Sequence, residues 1–393
     1  MDKIEELLTR GVANIIPNKA ELQKSLKSGK KLNIYLGIDP TATKIHLGHA
    51  VPIRKLQALA NLGHHVTFLI GDFTALIGDT SDKESERPAL SQEEIKENFK
   101  TYKEQAEKIL DFSRIKIRHN SEWLKNLSFQ DIIKLTQHFS LGDFISRELI
   151  KKRLTNGSRV GLHEVLYPVM QGYDSHYMDT DLQIGAADQT FNMQAGRTLI
   201  KDLHNKESFI LAVDYLSGTD GRKMSKTWGN AIWLDDSPED MYGKVMSLKD
   251  ELIIEYFTLA TNATLEKIEE ISKRLKKDEN PMAIKKELAY EIVRELYDEN
   301  KAREAENYFE KAFQKGETPE DIPNINIKIQ DKISVSDILL KANLVSSKTE
   351  AKRLIEQGGV EIEGKRINNP LERLEKGNYN VRIGRKFAKI TIG

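Results

Sequence analysis

Residues 35–49 read YLGIDPTATKIHLGH and predict a strand, a tight turn and a helix in succession. We expect a strand over Leu32–Ile38, where apolar residues run together. Pro40 ends that strand, because proline has no N–H for the hydrogen bonds of a sheet. A helix is predicted near His46–Leu62. The first N–H groups of a helix have no partners within it, so this junction predicts an anion site suited to phosphate.

Two histidines stand at the start of the predicted helix. His46 and His49 lie three residues apart, so a helix places both imidazoles on one face of its first turn. Gly48 lies between them and has no Cβ, which allows a flat group to approach the backbone. Taken alone, this four-residue pattern fits a surface loop with two hydrogen-bonded histidines equally well.

A second stretch, GRKMSKTWGN over Gly221–Asn230, places Lys223 and Lys226 in a loop rich in glycine, serine and threonine. Such a composition does not favour a stable helix or strand. Two ammonium groups on a flexible loop can close over a polyphosphate and follow its charge. A solvated basic loop is the alternative interpretation.

The two stretches together resemble the HIGH and KMSKS signatures of the class I aminoacyl-tRNA synthetases, here written HLGH and KMSKT. Each differs from the signature by one conservative letter, and the pair in this order is far more specific than either alone. The resemblance implies a Rossmann-type fold and a reaction with ATP. It also implies that no covalent enzyme intermediate is needed, so no serine or cysteine nucleophile is expected.

The chain divides by pattern into four parts. Strands and helices alternate in residues 1–236, which predicts an α/β catalytic domain with a doubly wound parallel sheet, and its ligands at the carboxyl ends of the strands. Charged helical periods predict an α-helical domain over residues 237–318, which by resemblance receives the anticodon end of tRNA. Prolines mark residues 319–332 as a linker. Residues 333–393 predict a small basic α+β domain.

The predicted elements of the catalytic part follow from apolar runs and helical spacing. The predicted strands are Leu32–Ile38, His65–Ile70, Ile115–Arg118, Asp181–Ile184 and Phe209–Val213. The predicted helices are 48–62, 91–111, 128–138, 143–153, 163–173 and 188–202.

A polar stripe runs along the fifth of these helices. Tyr167, Gln171 and Asp174 are spaced to lie on one helical face, although their neighbours are apolar. On spacing alone the stripe could face water or line a pocket. The run YPVMQGYD, followed by LQIGAADQ over 182–189, is similar to the substrate helix and the following loop of the tyrosine-specific enzymes of this class. The resemblance therefore implies tyrosine as the amino acid.

The resemblance also implies a role for individual side chains. The residues expected to bind tyrosine are Tyr35, Thr74, Asp79, Tyr167, Gln171, Asp174 and Gln189. Those expected to bind ATP are Gly37, Asp39, His46, Gly48, His49, Asp188, Lys223 and Lys226. The catalytic set would be Thr41, His46, His49, Lys223 and Lys226. Mg²⁺ is expected to accompany the pyrophosphate, without a dedicated protein metal site.

One loop departs from the pattern of related enzymes. They often carry Pro-Ser-Gly after a Gly-Asp pair, whereas Gly78 and Asp79 are followed here by Thr80-Ser81-Asp82. The departure puts the conformation of the loop in question, but the expected role of Asp79 remains.

The predicted C-terminal domain is basic in a chain that is otherwise balanced. Residues 333–393 hold 12 Lys and Arg against 7 Asp and Glu. Two short helices and two hairpin-like runs resemble a small RNA-binding module that is shared with a ribosomal small-subunit protein. A soluble charged helix is the alternative. The side chains expected to contact RNA phosphates are Lys348, Lys352, Arg353, Lys365 and Arg366.

Composition excludes several classes of protein. The 393 residues hold 60 Lys and Arg against 60 Asp and Glu, so no global charge attracts nucleic acid. The chain has no cysteine, which excludes disulfides, thiolate zinc sites and cysteine nucleophiles. The N-terminus MDKIEELLTR is charged and lacks the apolar region of a signal peptide. No apolar run is long enough to span a membrane, so we expect a cytoplasmic protein.

Three other functions match part of the sequence, but each lacks a feature that it would need or leaves one unexplained. A tryptophan-specific synthetase shares the motifs, but would not be expected to carry the Tyr35 and Asp174 pair. A zinc enzyme using His46, His49, His64 and His65 lacks the acidic partner of an H-E-x-x-H site. A non-catalytic RNA-binding protein on this scaffold would not need intact signatures. By resemblance we expect a homodimer acting on tRNA(Tyr), with the apolar stretch Phe129–Phe144 either as its contact or as plain core.

Overall fold

The structure is a computed structural model that describes residues 2–41, 43–78, 91–225, 228–314, 323–328, 332–345, 347–384 and 386–393. Compact units are formed by residues 1–236 with 248–288, and by residues 237–247 with 289–393. The predicted helical domain, 237–318, is therefore divided between the two units. No described helix is long and apolar enough to cross a membrane.

The first unit is built on a six-stranded sheet. Its strands are β1 Val12–Ile16, β2 Asn33–Ile38, β3 His65–Ile70, β4 Ile115–His119, β5 Leu182–Ala186 and β6 Phe209–Val213. Their order across the sheet is β1-β6-β5-β2-β3-β4, and all neighbours are parallel except β1 and β6. The mostly parallel α/β sheet confirms the predicted fold class, and all five predicted strands are present.

Two local predictions need correction. β1 was not predicted, because Val12–Ile16 has a bulged, half-exposed edge pattern rather than a continuous apolar run. The helix predicted over 143–153 is interrupted at Ser146 and Arg147, where an extended backbone at Arg147 starts a new helix. No glycine or proline marks that interruption in the sequence.

The described helices that precede β6 in the chain are α1 Lys3–Leu7, α2 Lys19–Lys27, α3 Leu47–Asn61, α4 Gln92–Ala106, α5 Ser121–Leu124, α6 Phe129–Thr136, α7 Leu141–Ile145, α8 Glu148–Thr155, α9 Leu162–Tyr177 and α10 Thr190–His204. Helix α4 begins at a capping box, marked in the sequence by the spacing Ser91-x-x-Glu94, in which Ser91 and Glu94 bond to each other's backbone N–H. The longer helical run follows as α11 Pro238–Met246, α12 Ile253–Ala260, α13 Leu265–Leu275, α14 Pro281–Leu296 and α15 Glu299–Phe309.

The C-terminal part confirms the predicted small α+β domain. Its elements are β7 Asn324–Ile327, β8 Ile333–Ser334, α16 Val335–Lys341, α17 Lys348–Glu356, β9 Val360–Ile362, β10 Lys365–Arg366, β11 Arg373–Leu374, β12 Gly377–Ile383 and β13 Lys386–Ile392. The linker prediction is corrected at one point. Residues Asn324–Ile327 pair in parallel with β13 and so belong to the sheet of the C-terminal domain.

Candidate active site

The order of the strands locates the site. From β2 the chain moves outward through β3 and β4, and later places β5 against the other side of β2. The β2–β5 boundary is therefore a switch point, where parallel sheets of this kind bind ligands at the carboxyl ends of their strands. The loop after β2 and the residues after β5 both begin at this edge.

The HLGH segment forms the start of α3. His46 is the N-cap, and its Nδ1 accepts a hydrogen bond from the N–H of His49 over 3.3 Å. The two imidazole rings stack with centroids 3.7 Å apart. A Cβ at Gly48 would lie only 3.0 Å from the His46 ring, so the close approach needs glycine. Since Nδ1 accepts, the proton of a neutral His46 lies on Nε2 and can be donated to a ligand.

The environment keeps His46 neutral. Burial lowers the pKa of His46 to about 2, and the nearby charges of His49 and Lys223 act in the same direction. His46 can therefore offer a hydrogen bond to a phosphate, but not a positive charge.

The chain just after the second signature segment pairs through its backbone with the start of α3. Leu47 donates its N–H to the carbonyl of Ile232 over 2.9 Å, and Leu234 donates to Ile45 over 2.8 Å. The Nζ atom of Lys223 lies 3.7 Å from Oδ2 of Asp188, which follows β5. The structure thus places the HLGH segment, Lys223 and Asp188 close together. Lys226 lies outside the described residues.

Asp39, which follows β2, connects the segment after β3 with helix α9. Thr74 donates its hydroxyl to Oδ1 of Asp39 over 2.7 Å, and Tyr167 donates to Oδ2 over 2.9 Å. A Cβ at Gly71 would lie 1.9 Å from Oδ1 of Asp39, so only glycine fits at Gly71. Both carboxylate oxygens are therefore engaged, and Asp39 holds in place two residues predicted to bind tyrosine.

Among the predicted acidic residues that the structure describes, Asp174 is the most deeply buried, with 3% of its surface exposed. Trp123 donates its indole N–H to Oδ1 over 2.7 Å, and Asn120 donates to Oδ2 over 3.2 Å. Burial raises the pKa of Asp174 to about 8, although these two hydrogen bonds act against the rise. The same Asn120 amide donates to Thr74 over 3.0 Å, which links the Asp174 and Asp39 networks.

Tyr35 lies beside this group with its hydroxyl already bonded inside the protein. It is 2.8 Å from the Ser175 hydroxyl and donates to Oε1 of Gln183 over 3.1 Å. Burial, together with the negative charge of Asp174, raises the pKa of the Tyr35 phenol. A Cβ at Gly196 would lie 2.4 Å from the Ser175 hydroxyl, so this packing depends on glycine.

Comparison with known proteins identifies the family. Residues 27–314 match the family described as tRNA synthetases class I (W and Y). The chain is 43% identical over 392 residues to the tyrosine–tRNA ligase of Thermotoga maritima, covering 99% of this chain and 97% of the relative. It is 40% identical over 390 residues to that of Dehalococcoides mccartyi, covering 99% and 98%. The chain belongs to the class I tRNA synthetases, among the tyrosine–tRNA ligases.

Solved structures support the fold of this class I synthetase. The tyrosyl-tRNA synthetase of Archaeoglobus fulgidus, solved with L-tyrosine, has a TM-score of 0.61 at 24% identity, covering 78% of this chain and 100% of that one. A truncated mitochondrial tyrosyl-tRNA synthetase of Aspergillus nidulans has a TM-score of 0.68 at 21% identity, covering 79% and 94%.

The C-terminal domain of the synthetase matches the S4 domain over residues 335–378. The predicted phosphate-contacting residues Lys352, Arg353, Lys365 and Arg366 are all exposed. Lys348 is paired with Asp337, with Nζ and Oδ1 2.5 Å apart. Lys352 and Arg353 lie on α17, and Lys365 and Arg366 form β10.

The remaining predicted residues are placed as follows. Gln171 is half-buried on α9, one turn before Asp174. Gln189 accepts a hydrogen bond from the Asn192 amide over 3.0 Å. Gly37 lies near the end of β2, and Thr41 lies just after that strand. Asp79 and the Thr80-Ser81-Asp82 segment lie outside the described residues.

Sequence reasoning missed Asn120 and Trp123, which hold Asp174. Asn120 directly follows β4 at the same carboxyl edge, and that position was the one signal that could have found it. Trp123 stacks on Tyr177 with centroids 4.6 Å apart and gives no sequence signal of its own. The histidines of the zinc hypothesis lie at opposite edges of the sheet, because His64 and His65 stand at the amino end of β3.

Proposed function

We propose that this site performs tyrosine–tRNA ligase activity in two steps. In the first, the carboxylate of L-tyrosine attacks the α-phosphate of ATP in line, which forms tyrosyl-adenylate and releases pyrophosphate. In the second, tyrosine passes to the 3′ adenosine of tRNA(Tyr) and AMP leaves. The observation that carries the proposal is Asp174, a buried carboxyl with two fixed donors, at the same sheet edge as the HLGH segment and the chain that pairs with it.

The first step depends on positioning and on stabilising charge at the transferring phosphoryl group. Thr41 and His46 would meet the γ-phosphate region from one side, and the neutral His46 would donate from Nε2. Lys223 and Lys226 would approach from the other side. Their interaction would strengthen as the α-phosphate becomes five-coordinate.

The nucleoside end of ATP would lie along the start of α3. Gly48 and His49 would contact adenine and a ribose oxygen, and Asp188 would accept from the ribose. Gly37, near the end of β2, and Asp39, just after it, would lie at the same junction. The oxygen-rich donors at this edge suit Mg²⁺, which would be held mainly through phosphate oxygens and water.

Tyrosine would be recognised at its phenol and at its ammonium. The phenol would donate to Asp174 and accept from Tyr35, whose single O–H would turn from Gln183 to the substrate. Phenylalanine would leave these buried groups unpaired. Because the phenol adds a third donor to Asp174, it would lower the pKa of that carboxyl and favour the charged form. Asp79, Thr74, Tyr167 and Gln171 would surround the ammonium, and Gln189 the carboxylate.

The exposed basic residues of the S4 domain would hold tRNA through its phosphates. Lys352 and Arg353 on α17 and Lys365 and Arg366 on β10 offer charges that are not paired within their own elements, and Lys348 would exchange Asp337 for a phosphate. Salt dependence of tRNA binding would follow from the counterions that are released.

A homodimer would use the stretch Phe129–Phe144. Three apolar side chains on helices α6 and α7 are exposed: Phe129 at 78%, Leu141 at 63% and Ile133 at 47%. Exposed apolar side chains in one region mark contact surfaces, and this exposure disfavours the interpretation of the stretch as plain core. We place the enzyme in the cytoplasm, where its substrates are found.

The lysines provide the test of the mechanism. Replacing Lys223 by alanine, or Lys226 by alanine, should lower the rate constant for adenylate formation by about 10²–10³-fold, because both act mainly in the transition state. Tyrosine affinity, measured by fluorescence titration without ATP, should change little. If tyrosine affinity falls while the rate constant stays the same, the loop is a substrate clamp and the mechanism is wrong.

A further inference from the structure

The loop that carries Lys223 folds back on the chain that leads into it. Gly218 donates its N–H to the carbonyl of Arg222 over 2.7 Å, and Gly221 donates to Gly218 over 2.9 Å. Ser217 and Lys223 then face each other in a short antiparallel bridge. The backbone of Lys223 is thus fixed against Ser217.

Asn230, at the end of the same loop, joins its arms through one side-chain amide. Its Nδ2 donates to Oδ1 of Asp220 over 2.8 Å and to the carbonyl of Lys223 over 3.2 Å. Its Oδ1 accepts from the N–H of Ser225 over 2.8 Å. The backbone carbonyl of Asn230 accepts from Thr219 over 3.0 Å. With only 3% of its surface exposed, Asn230 binds the chain on both sides of Lys223.

The position requires an amide. The donor side faces a carboxylate and a carbonyl, and the acceptor side faces an N–H. An aspartate would keep the acceptor but would set its negative charge against Asp220 and leave the Lys223 carbonyl without this donor. Space is also restricted, because a Cβ at Gly218 would lie 2.2 Å from Nδ2 of Asn230.

Helix α12 fixes the base of the loop. Glu255 accepts hydrogen bonds from the N–H of Ser217 over 2.5 Å and from the Ser217 hydroxyl over 3.2 Å. Tyr256 donates its hydroxyl to the carbonyl of Ser217 over 2.7 Å. Arg10 in turn donates to the carbonyls of Phe257, Thr258, Thr261 and Ala263 at the end of α12. Ser217 therefore stands on a rigid support, and the conformation of the loop beyond it is set by the bonds of Asn230.

After Asn230 the chain pairs directly with the start of α3, where Ile232 accepts from Leu47. Asn230 therefore lies between the lysine loop and the HLGH segment. We propose that Asn230 is a positioning residue for adenylate formation, whose amide presents Lys223 to the phosphates that His46 contacts from the other side. This inference rests on the role proposed above for Lys223. Asn230 itself would not touch the substrate, because it acts through the backbone of Lys223.

The test compares Asn230→Asp with Asn61→Asp in the full-length enzyme. Asn61 is exposed at the end of α3 and uses its oxygen as an acceptor, so the control adds the same charge without a broken bond. Single-turnover adenylate formation and equilibrium binding of tyrosine are measured for both variants, together with Tm. We expect a loss of about 10–100-fold in the rate constant for Asn230→Asp, with tyrosine affinity within about two-fold of the parent.

A second substitution separates positioning from general stability. Asp220→Asn placed in the Asn230→Asp background reverses the donor and acceptor of their hydrogen bond and should recover part of the lost rate. Lys223→Ala is measured beside them. If Asn230→Asp reacts as fast as Asn61→Asp while Lys223→Ala is slow, the inference fails and the role of Lys223 stands. If Lys223→Ala is as fast as the parent, the proposed role of Lys223 fails and this inference with it. If Asn230→Asp loses tyrosine affinity and Tm along with its rate, Asn230 supports the fold only and the inference is overturned.

Discussion

The indole N–H of Trp123 donates to Oδ1 of Asp174 over 2.7 Å, and only 3% of the surface of Asp174 is exposed. Asn120 engages the other oxygen, so both sides of the carboxyl are oriented by the protein. Burial nonetheless raises the pKa of Asp174 to about 8. Orientation by two donors prepares this carboxyl to accept a further hydrogen bond. Because its pKa is raised, its protonation can be followed through the pH dependence of stability.

The raised pKa of Asp174 predicts a pH dependence of stability. The folded protein holds this proton more tightly than the unfolded chain, where the pKa is near 3.8. The stabilising contribution is therefore fully present below about pH 3.8 and is lost as the pH rises through about 8.

Calorimetry without tyrosine measures this effect. The Tm of the parent minus that of Asp174→Asn should decrease from about pH 5 to about pH 8.5, because the variant lacks the titrating group. Groups that do not interact with Asp174 cancel in the difference. A difference that stays constant with pH would mean that Asp174 is charged throughout.

His46 has two roles that a substitution can separate: it caps α3, and its neutral ring would donate to a phosphate from Nε2. Asparagine can replace its N-cap function but cannot donate from the position of Nε2. We expect His46→Asn to lower kcat for adenylate formation by about 10²–10³-fold with little change in the KM for tyrosine or in Tm. His65→Asn, at the exposed amino end of β3, is the matched control. A variant that loses Tm but keeps kcat would show that His46 serves the helix alone.

The order of the elements could be predicted because single residues mark it. Pro40 ends β2, the Ser91 and Glu94 box opens α4, and apolar runs mark the buried parallel strands. The signature segments were identified because HLGH and KMSKT, in this order, resemble the paired signatures of one family. Asn120 and Trp123 could not be assigned to Asp174, because they are more than 50 residues away and only tertiary folding brings them together.

The missed strands have a different cause. β1 is an antiparallel edge strand in which only Ile15 is buried, so it lacks the apolar run that marks the buried strands. β7 directly follows Pro323 in a stretch with the composition of a linker, and its pairing with β13 is set by residues far along the chain.

Exposure of the stretch Phe129–Phe144 predicts that charge there disrupts a dimer. The parent should sediment at about twice the mass of its 44.8 kDa chain. Phe129→Asp combined with Ile133→Asp should shift the equilibrium toward the monomer, because two charges would be buried in the contact. Leu371→Asp, at an exposed apolar residue of the C-terminal domain, should leave the mass unchanged. If the double variant keeps the parent's mass, this surface is not the contact.

Removal of the C-terminal domain should separate adenylate formation from tRNA charging. Because β7 belongs to that domain, the chain should be ended at Gln314 rather than within residues 324–327. The shortened enzyme should still exchange pyrophosphate with tyrosine, since all the predicted adenylation residues precede residue 227. It should lose most of its tRNA charging, and its remaining tRNA affinity should depend less on salt. Equal charging by the whole and shortened enzymes at moderate salt would exclude an RNA-binding role for this domain.

The most direct measurement is ATP–pyrophosphate exchange with tyrosine, phenylalanine and tryptophan, for the parent and for Asp174→Asn. The parent should exchange with tyrosine far more efficiently than with either other amino acid. An amide at Asp174 cannot accept from both Trp123 and Asn120 and binds the phenol without charge, so kcat/KM for tyrosine should fall about 10²-fold. Phenylalanine should lose much less. Equal losses for tyrosine and phenylalanine, or a parent that prefers tryptophan, would contradict the account.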